Sequence, residues 1–285
     1  MTAPAEGPDR PGGSARLGGS PRPGASIRPG GPQASAAPQA SGGPAPAPDW
    51  AAGGWERLAR RTGRIRLPGW DCTTGLVAGD DAALLIDAGS CLSEGAALRR
   101  DAQRLLGGRR VTHLALTHPH FDHVLGAPAF AGAEVFTAVG AGAALVSGHE
   151  QLAADAVRHG LGREAAERAS ELLRPPHHEV CGEWTLELGG VQVLLAALGP
   201  AHSPYDLVVL VPGEVEVVFC GDLVEESGPP QAGPDAVPGR WPAALDRLLQ
   251  LGGEDAVYVP GHGAVVDAAF VRRQRDRLAG EFGVP

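Results

Sequence analysis

The chain has no lysine. All 24 of its basic residues are arginine, set against 33 Asp and Glu, for a formal net charge of −9 over 285 residues. An acidic molecule repels phosphate backbones and anionic headgroups, which argues against nucleic acid or a membrane surface as a partner. Long apolar runs are missing as well. Val191–Leu198 and Leu207–Val211 are the longest candidates, and both are strand-length and stop at Gly or Pro. Neither approaches the roughly 18 residues of a membrane helix. Cysteine is sparse: Cys72, Cys91, Cys181 and Cys220 lie far apart with no Cys-x-x-Cys, so a disulfide framework is not expected and reduced thiols are. Met1 is followed by Thr-Ala-Pro-Ala-Glu-Gly-Pro, which has neither the basic start nor the apolar core of a signal peptide. A cytoplasmic setting is the expectation. The missing lysine, with so much Ala, Gly and Pro, reflects a GC-rich genome more than a function.

One boundary is sharp. Residues 1–48 hold 11 of the 26 prolines and 10 of the 42 glycines, with no aromatic residue. Such a segment cannot bury enough apolar surface to offset its ordering entropy and is read as a disordered tail. Its four arginines against Glu6 and Asp9 give +2, which leaves −11 on residues 49–285. Those residues form the expected folded domain, and a hydrophobic content of 43% is enough for a sizeable core.

Within the domain, β-type and helix-type patterns alternate. Strands are expected at Ile65–Leu67, Thr73–Val77, Ala82–Asp87, Val111–Thr117, Glu134–Thr137, Trp184–Leu188, Val191–Ala197, Leu207–Val211, Val215–Cys220 and Ala256–Val259. Helices are expected from Ser93, as N-cap, to Leu106, and at Gly140–Ser147, Gln151–His159, Arg163–Leu173, Trp241–Leu251 and Asp267–Leu278. No repeat of fixed period is present. Strands in runs with interspersed helices bound an α/β or α+β layered domain.

The chemistry concentrates in His118-Pro-His120-Phe-Asp122-His123, which places three imidazoles and a carboxylate in one short loop at a strand end. Imidazole and carboxylate are the ligands that borderline divalent metals such as zinc prefer. His118 and His120 are two apart, so in extended backbone they project to one side, and Asp122 and His123 follow past a turn. Asp87 closes an apolar strand, where a carboxylate is costly unless paired. His113 reads as a satisfied buried histidine, His149 and His159 as helix-surface residues, His177-His178 as a loop pair within possible reach of the site, and Cys220 as a small buried residue.

The run resembles the His-x-His-x-Asp-His signature of the metallo-β-lactamase superfamily. Gly199-Pro-Ala-His202-Ser203, Gly221-Asp222 and Gly261-His262-Gly263 resemble that family's later ligand segments, in order and spacing, over about residues 55–280. The resemblance implies an α+β fold, the four-layer αββα sandwich, with the site at the edge where two sheets meet. It implies a first metal held by His118, His120 and His202, a second held by Asp122, His123 and His262, and Asp222 bridging the two. It implies that Asp87 orients a ligand histidine; Asp206, after Ser203-Pro-Tyr, reads as a similar support and Tyr205 as a hydrogen-bond donor to substrate, and Asp122 and Asp222 are the candidate catalytic residues.

These assignments lead to a metal-dependent hydrolase. Two zinc ions per chain would share a hydroxide that attacks a small cytosolic ester, thioester, lactone or phosphoester. Glutathione thioester hydrolysis is disfavoured, because the Gly-Cys-Gly-Arg element and the Gly-His-Glu of that subfamily are replaced by Gly221-Asp-Leu-Val-Glu-Glu and Gly261-His-Gly. A β-lactamase is less expected because no export signal is seen. The alternative is a non-haem iron oxidoreductase of the persulfide dioxygenase kind, with iron in place of zinc. A non-catalytic module on the same fold is the weakest reading, since all seven ligand positions are filled.

Overall fold

The structure is a computed structural model that describes residues 47–51 and 53–284. All but the last two residues of the expected tail lie outside the described residues. Seven strands form one sheet in sequence order: β1 (Glu56–Arg57), β2 (Thr62–Arg66), β3 (Thr73–Ala78), β4 (Ala83–Ile86), β5 (His113–Ala115), β6 (Glu134–Ala138) and β7 (His178–Val180). Pairing is antiparallel up to β4 and parallel from β4 to β7. A second sheet has the order β12-β11-β10-β9-β8, built from β8 (Glu183–Glu187), β9 (Gln192–Ala197), β10 (Leu207–Val211), β11 (Val217–Glu225) and β12 (Val257–His262). Only β11 and β12 run parallel in it.

The period-2 pattern of the strands explains how the layers stack. Along β4, Leu84 and Ile86 point between the sheets while Leu85 points outward; along β10, Leu207, Val209 and Val211 point inward while Val208 and Leu210 point outward. Both faces of these strands are buried, so they read as continuous apolar runs rather than clean alternations. The outer face of the first sheet is covered by α1 (Leu92–Leu105), α4 (His149–Arg158) and α5 (Arg163–Glu171), through Leu98, Ala102, Leu152, Ala156 and Ala169. The outer face of the second is covered by α6 (Trp241–Gly252) and α7 (Ala268–Phe282), through Trp241, Leu245, Leu248 and Val271. The result is the expected α+β sandwich of four layers. No helix among the described residues is long and apolar enough to cross a membrane.

Most element types agree with the sequence patterns, and the differences have local causes. The first long helix starts earlier than Ser93, with Cys91 as N-cap, because the Glu94 carboxylate turns back to accept from the Ser90 backbone N–H and hydroxyl. Its C-terminal end is where expected, with Gly107 and Gly108 both at positive φ. β11 continues beyond Cys220 to Glu225, and β12 beyond Val259 to His262. Their polar residues look like strand ends in sequence but are buried where the sheets meet. The helix expected at Gly140–Ser147 is α3 (Ala141–Val146), and three short helices escaped the pattern, α2 (Phe121–Val124) inside the histidine motif and 3-10 turns at Ala127–Phe130 and Pro238–Arg240, as did strands β1 and β7.

The sheets close on each other at Gly75. A methyl group there would lie 2.4 Å from the Phe219 ring, which is itself buried between the sheets. Gly75→Val should therefore destabilise the fold by about 1–3 kcal/mol through overpacking. Urea unfolding measures it, and an unchanged midpoint would show that the two sheets have slack at this contact.

Candidate metal centre

The site residues come from strand ends. Asp87 follows β4, and His118 and His120 lie in the loop after β5. Asp122 and His123 form the first turn of α2, His202 sits in the β9–β10 loop, Asp222 is in β11, and His262 ends β12. Four of these segments leave the carboxyl ends of parallel strands, two from each sheet, which is where open α/β sheets place their ligands. Backbone irregularity aims Asp222. The β11–β12 register shifts between Phe219 and Gly221, and Gly221 has φ 53°, a conformation that glycine adopts without strain. Gly261 lets the carboxylate approach, since a methyl group there would overlap Asp222 Oδ1 at 1.8 Å.

Five imidazoles meet here, and each is held from behind. Nδ1 of His123 donates to Asp87 at 2.9 Å, Nδ1 of His262 to the Trp70 carbonyl at 2.8 Å, and Nδ1 of His202 to the Gln231 carbonyl at 3.1 Å. Nδ1 of His118 lies 3.0 Å from the Thr117 hydroxyl, which donates onward to Asp87 at 2.8 Å. His120 is turned the other way round: its Nε2 donates to Asp235 at 3.1 Å, and its Nδ1 faces inward. A hydrogen bond on one ring nitrogen fixes the tautomer and leaves the other nitrogen's lone pair directed inward.

The inward atoms fall into two groups that share Asp222. In the first, His120 Nδ1 and His202 Nε2 are 3.0 Å apart, and Asp222 Oδ2 lies 3.6 Å from His118 Nε2 and 3.5 Å from His202 Nε2. In the second, Asp122 Oδ2 lies 3.6 Å from His123 Nε2 and 3.2 Å from His262 Nε2, while Asp222 reaches His123 Nε2 with Oδ1 at 3.2 Å and His262 Nε2 with Oδ2 at 3.4 Å. Four donors placed about 2.1 Å from one ion at tetrahedral angles are about 3.4 Å apart. The observed separations match that spacing. His118 Nε2 and Asp222 Oδ1 are buried without a hydrogen-bond partner, which an interior polar atom tolerates only when something else satisfies it. The donor set therefore fits divalent ions such as zinc, and His118, His120, His202 and Asp222 on one side and Asp122, His123, His262 and Asp222 on the other could hold them.

The local field has the same polarity. Burial opposes charge on His262, yet the Asp222 carboxylate and the hydrogen bond to Asp122 push its pKa up to about 12. Burial also opposes charge on His123, and its anionic neighbours raise it well above the ordinary value. Away from the second carboxylate burial wins, holding His118 well below its usual range and His202 down to about 4. Asp222 is held well below the carboxylate range: burial raises it, but the surrounding imidazoles outweigh burial.

The remaining expected residues fall in different places. Asp87 orients His123 directly and His118 through Thr117, as a strand-end carboxylate should. It does so at φ 60°, in the left-handed region that Asp tolerates better than most residues. Asp206 is buried but bonds to the Ser203 N–H and hydroxyl, so it braces the turn carrying His202 rather than the ring itself. Burial lifts its pKa to about 7. Tyr205 packs over Gly140 and lines the cavity in front of the site. Cys220 points away into the outer core. Cys72 is the thiol near the centre, its Sγ 3.7 and 3.9 Å from the two ring nitrogens of His123, and burial pushes its pKa up to about 11. His178 stacks on Phe136 and bonds Glu134 at the far edge of the first sheet, and His113 bonds Thr112.

Sequence patterns did not find the loop after β11. It supplies Asp235 to His120 and the Gln231 carbonyl to His202, while Gln231 N–H bonds the buried Glu225 carboxyl at 3.1 Å. Burial raises Glu225 to about 7. A cavity of about 880 Å³ opens in front of the cluster, walled on one side by this loop and on the other by α4.

The comparisons with known proteins agree with this architecture. The family model described as the metallo-beta-lactamase superfamily matches residues 67–262, and the chain belongs to that superfamily. Solved structures with the same fold include the metallo-beta-lactamase FIM-1 from Pseudomonas aeruginosa in its mono-zinc form, 19% identical, covering 81% of this chain and 96% of that one at TM-score 0.60. A metallo-beta-lactamase from Pontibacter korlensis is 22% identical over 79% of this chain and 97% of that one, at TM-score 0.58. One from Hirschia baltica is 18% identical over 79% and 96%, also at TM-score 0.58. At these identities the likeness speaks to the fold. Superfamily members are mostly metal-dependent hydrolases.

Asp235 carries a testable consequence. Asp235→Ala frees the back of His120 and should weaken metal binding at the His118–His120–His202 group by about 10- to 100-fold, leaving the other group nearly unchanged. Competition titration against a chromophoric chelator resolves the two affinities. Equal weakening at both groups, or none, would show that the hydrogen bond does not orient His120.

Proposed function

We propose that this chain is a dinuclear zinc hydrolase. The observation that carries the reading is the arrangement around Asp222: five imidazoles, each fixed from behind, turn a ring nitrogen inward around two carboxylates, and one of those carboxylates belongs to both groups. His118, His120 and His202 would hold one ion, Asp122, His123 and His262 the other, and Asp222 both. Two such ions would supply Lewis acidity and an activated water near neutral pH, so the protein would need no Ser or Cys nucleophile.

The chain's own residues do the rest. Asp87 keeps His123 and, through Thr117, His118 in one tautomer. Asp235 and the Gln231 carbonyl do the same for His120 and His202 from the loop that walls the cavity. Asp122 and Asp222 bring negative charge that offsets two close cations. The reacting group is an ester, thioester, lactone or phosphoester of a small molecule, held in the cavity in front of the cluster. A reducing cytoplasmic setting suits the four free cysteines.

Elemental analysis after zinc reconstitution, with a panel of chromogenic esters, thioesters, lactones and phosphodiesters, tests the reading. Two zinc ions per chain are expected, and Asp222→Asn should lose at least one and slow turnover by on the order of 100-fold or more. Retention of both metals at a near-normal rate would remove Asp222 as a shared ligand and the dinuclear reading with it. Iron as the resident metal in protein purified without chelator would instead favour the oxidoreductase alternative.

A further inference from the structure

The cavity in front of the metal centre differs in character from the centre itself. Its floor is aromatic: Trp70 meets Phe121 edge-on at 5.4 Å, and His159 stacks on the other side of Phe121 at 5.2 Å. Leu152 of α4 continues this surface, and Pro204 and Tyr205 face it. The wall is fixed by the same contacts that build the site. The Trp70 carbonyl holds His262, Phe121 lies between the ligand-type residues His120 and Asp122, and α4 packs on the first sheet through Leu152 and Ala156.

The charges lining the cavity point the same way. Beyond the metal cluster, among the described residues, they are Asp155, Glu225 and Asp235 against a single guanidinium, Arg158. That guanidinium is paired with a carboxylate on the same helix, its Nη2 2.6 Å from Asp155 Oδ1. Lysine is absent from the chain altogether. Recognition of a carboxylate or phosphate arm requires free cationic donors, Arg above all, and desolvating such an arm beside carboxylates without them is costly.

We infer that the substrate is an uncharged carboxylic ester or lactone whose non-reacting arm is an apolar acyl or aryl group lying on the Trp70–Phe121–Leu152 surface. This rests on the hydrolase reading above and narrows it: the polyanionic carriers, coenzyme A thioesters and nucleotides among them, are excluded by the cavity. The volume of about 880 Å³ accommodates an arm well beyond the scissile group. Asp155 acts as a selectivity residue, because its charge offsets that of Arg158, the arginine among the described lining residues.

Zinc-loaded protein assayed on 4-nitrophenyl hexanoate and on the 4-nitrophenyl monoester of adipate separates the terms. These share a leaving group and chain length and differ by one terminal carboxylate. The neutral ester should show a kcat/KM higher by about tenfold or more, and 4-nitrophenyl hexanoate should exceed the acetate ester, with that chain-length preference reduced in Trp70→Ala through KM. Asp155→Asn, which removes the negative charge beside Arg158, should shift the ratio toward the adipate ester. Equal or better turnover of the carboxylate-bearing ester, or a ratio unmoved in Asp155→Asn, overturns the inference and leaves the hydrolase reading standing. Turnover of phosphodiesters with no ester hydrolysis also overturns it while keeping the hydrolase. No hydrolysis of any substrate by protein carrying both metals defeats the hydrolase reading, and this inference falls with it.

Discussion

Everything in this molecule is arranged around the problem of two aspartates buried among imidazoles at the meeting edge of two sheets. Asp122 and Asp222 are nearly out of solvent, and a carboxylate in that position is tolerable only beside positive charge. Protons on the histidines supply some. They do not supply enough for the first group, where burial holds His118 well below its ordinary pKa and His202 near 4. Two imidazole nitrogens turned toward each other at 3.0 Å, in one group with a buried His118 Nε2 that has no hydrogen-bond partner, define a place for a cation. The rear hydrogen bonds complete the arrangement, because they prevent the rings from rotating to satisfy one another.

The sandwich is what brings these groups together. Each sheet delivers segments bearing the candidate ligands from the carboxyl ends of adjacent parallel strands, β4 and β5 in one and β11 and β12 in the other. Glycines hold the seam narrow: Gly75 lies under Phe219, Gly221 against Thr117, and Gly261 against Asp222 itself. Rigid packing on both outer faces fixes the positions to the tolerance that metal geometry demands. The supporting shell is divided between the two halves of the molecule. Asp87, from the first sheet, steadies His123 and His118, whereas the loop after β11, from the second, steadies His120 and His202 and also lines the cavity. One loop thus both walls the cavity and steadies one half of the centre.

Much of this was legible in the chain. The His118–His123 run carries its chemistry in local spacing, and Asp87 announces itself as a carboxylate closing an apolar strand. The layer order follows from runs of strands whose two faces are both apolar. What was not legible came from long-range placement. Asp235 lies 115 residues from His120, and Gln231 contributes a backbone carbonyl, which no side-chain pattern can report. Cys72 reaches His123 from just before β3, while Cys220, two residues before Asp222, points the other way because the register shift at Gly221 breaks the alternation that would otherwise put both on one face. The ends of β11 and β12 were set too early for a related reason: polar residues that terminate an ordinary strand continue one whose edge is a ligand site. Helix α2 was hidden inside the motif it serves.

The central claim is that one buried cluster holds two ions through Asp222. Anomalous diffraction at the zinc edge, from crystals of the zinc-loaded protein, tests it most directly. The account predicts two peaks, one among His118, His120 and His202 and one among Asp122, His123 and His262, with Asp222 contacting both. A single peak at full zinc loading, or zinc bound away from these side chains, would contradict it.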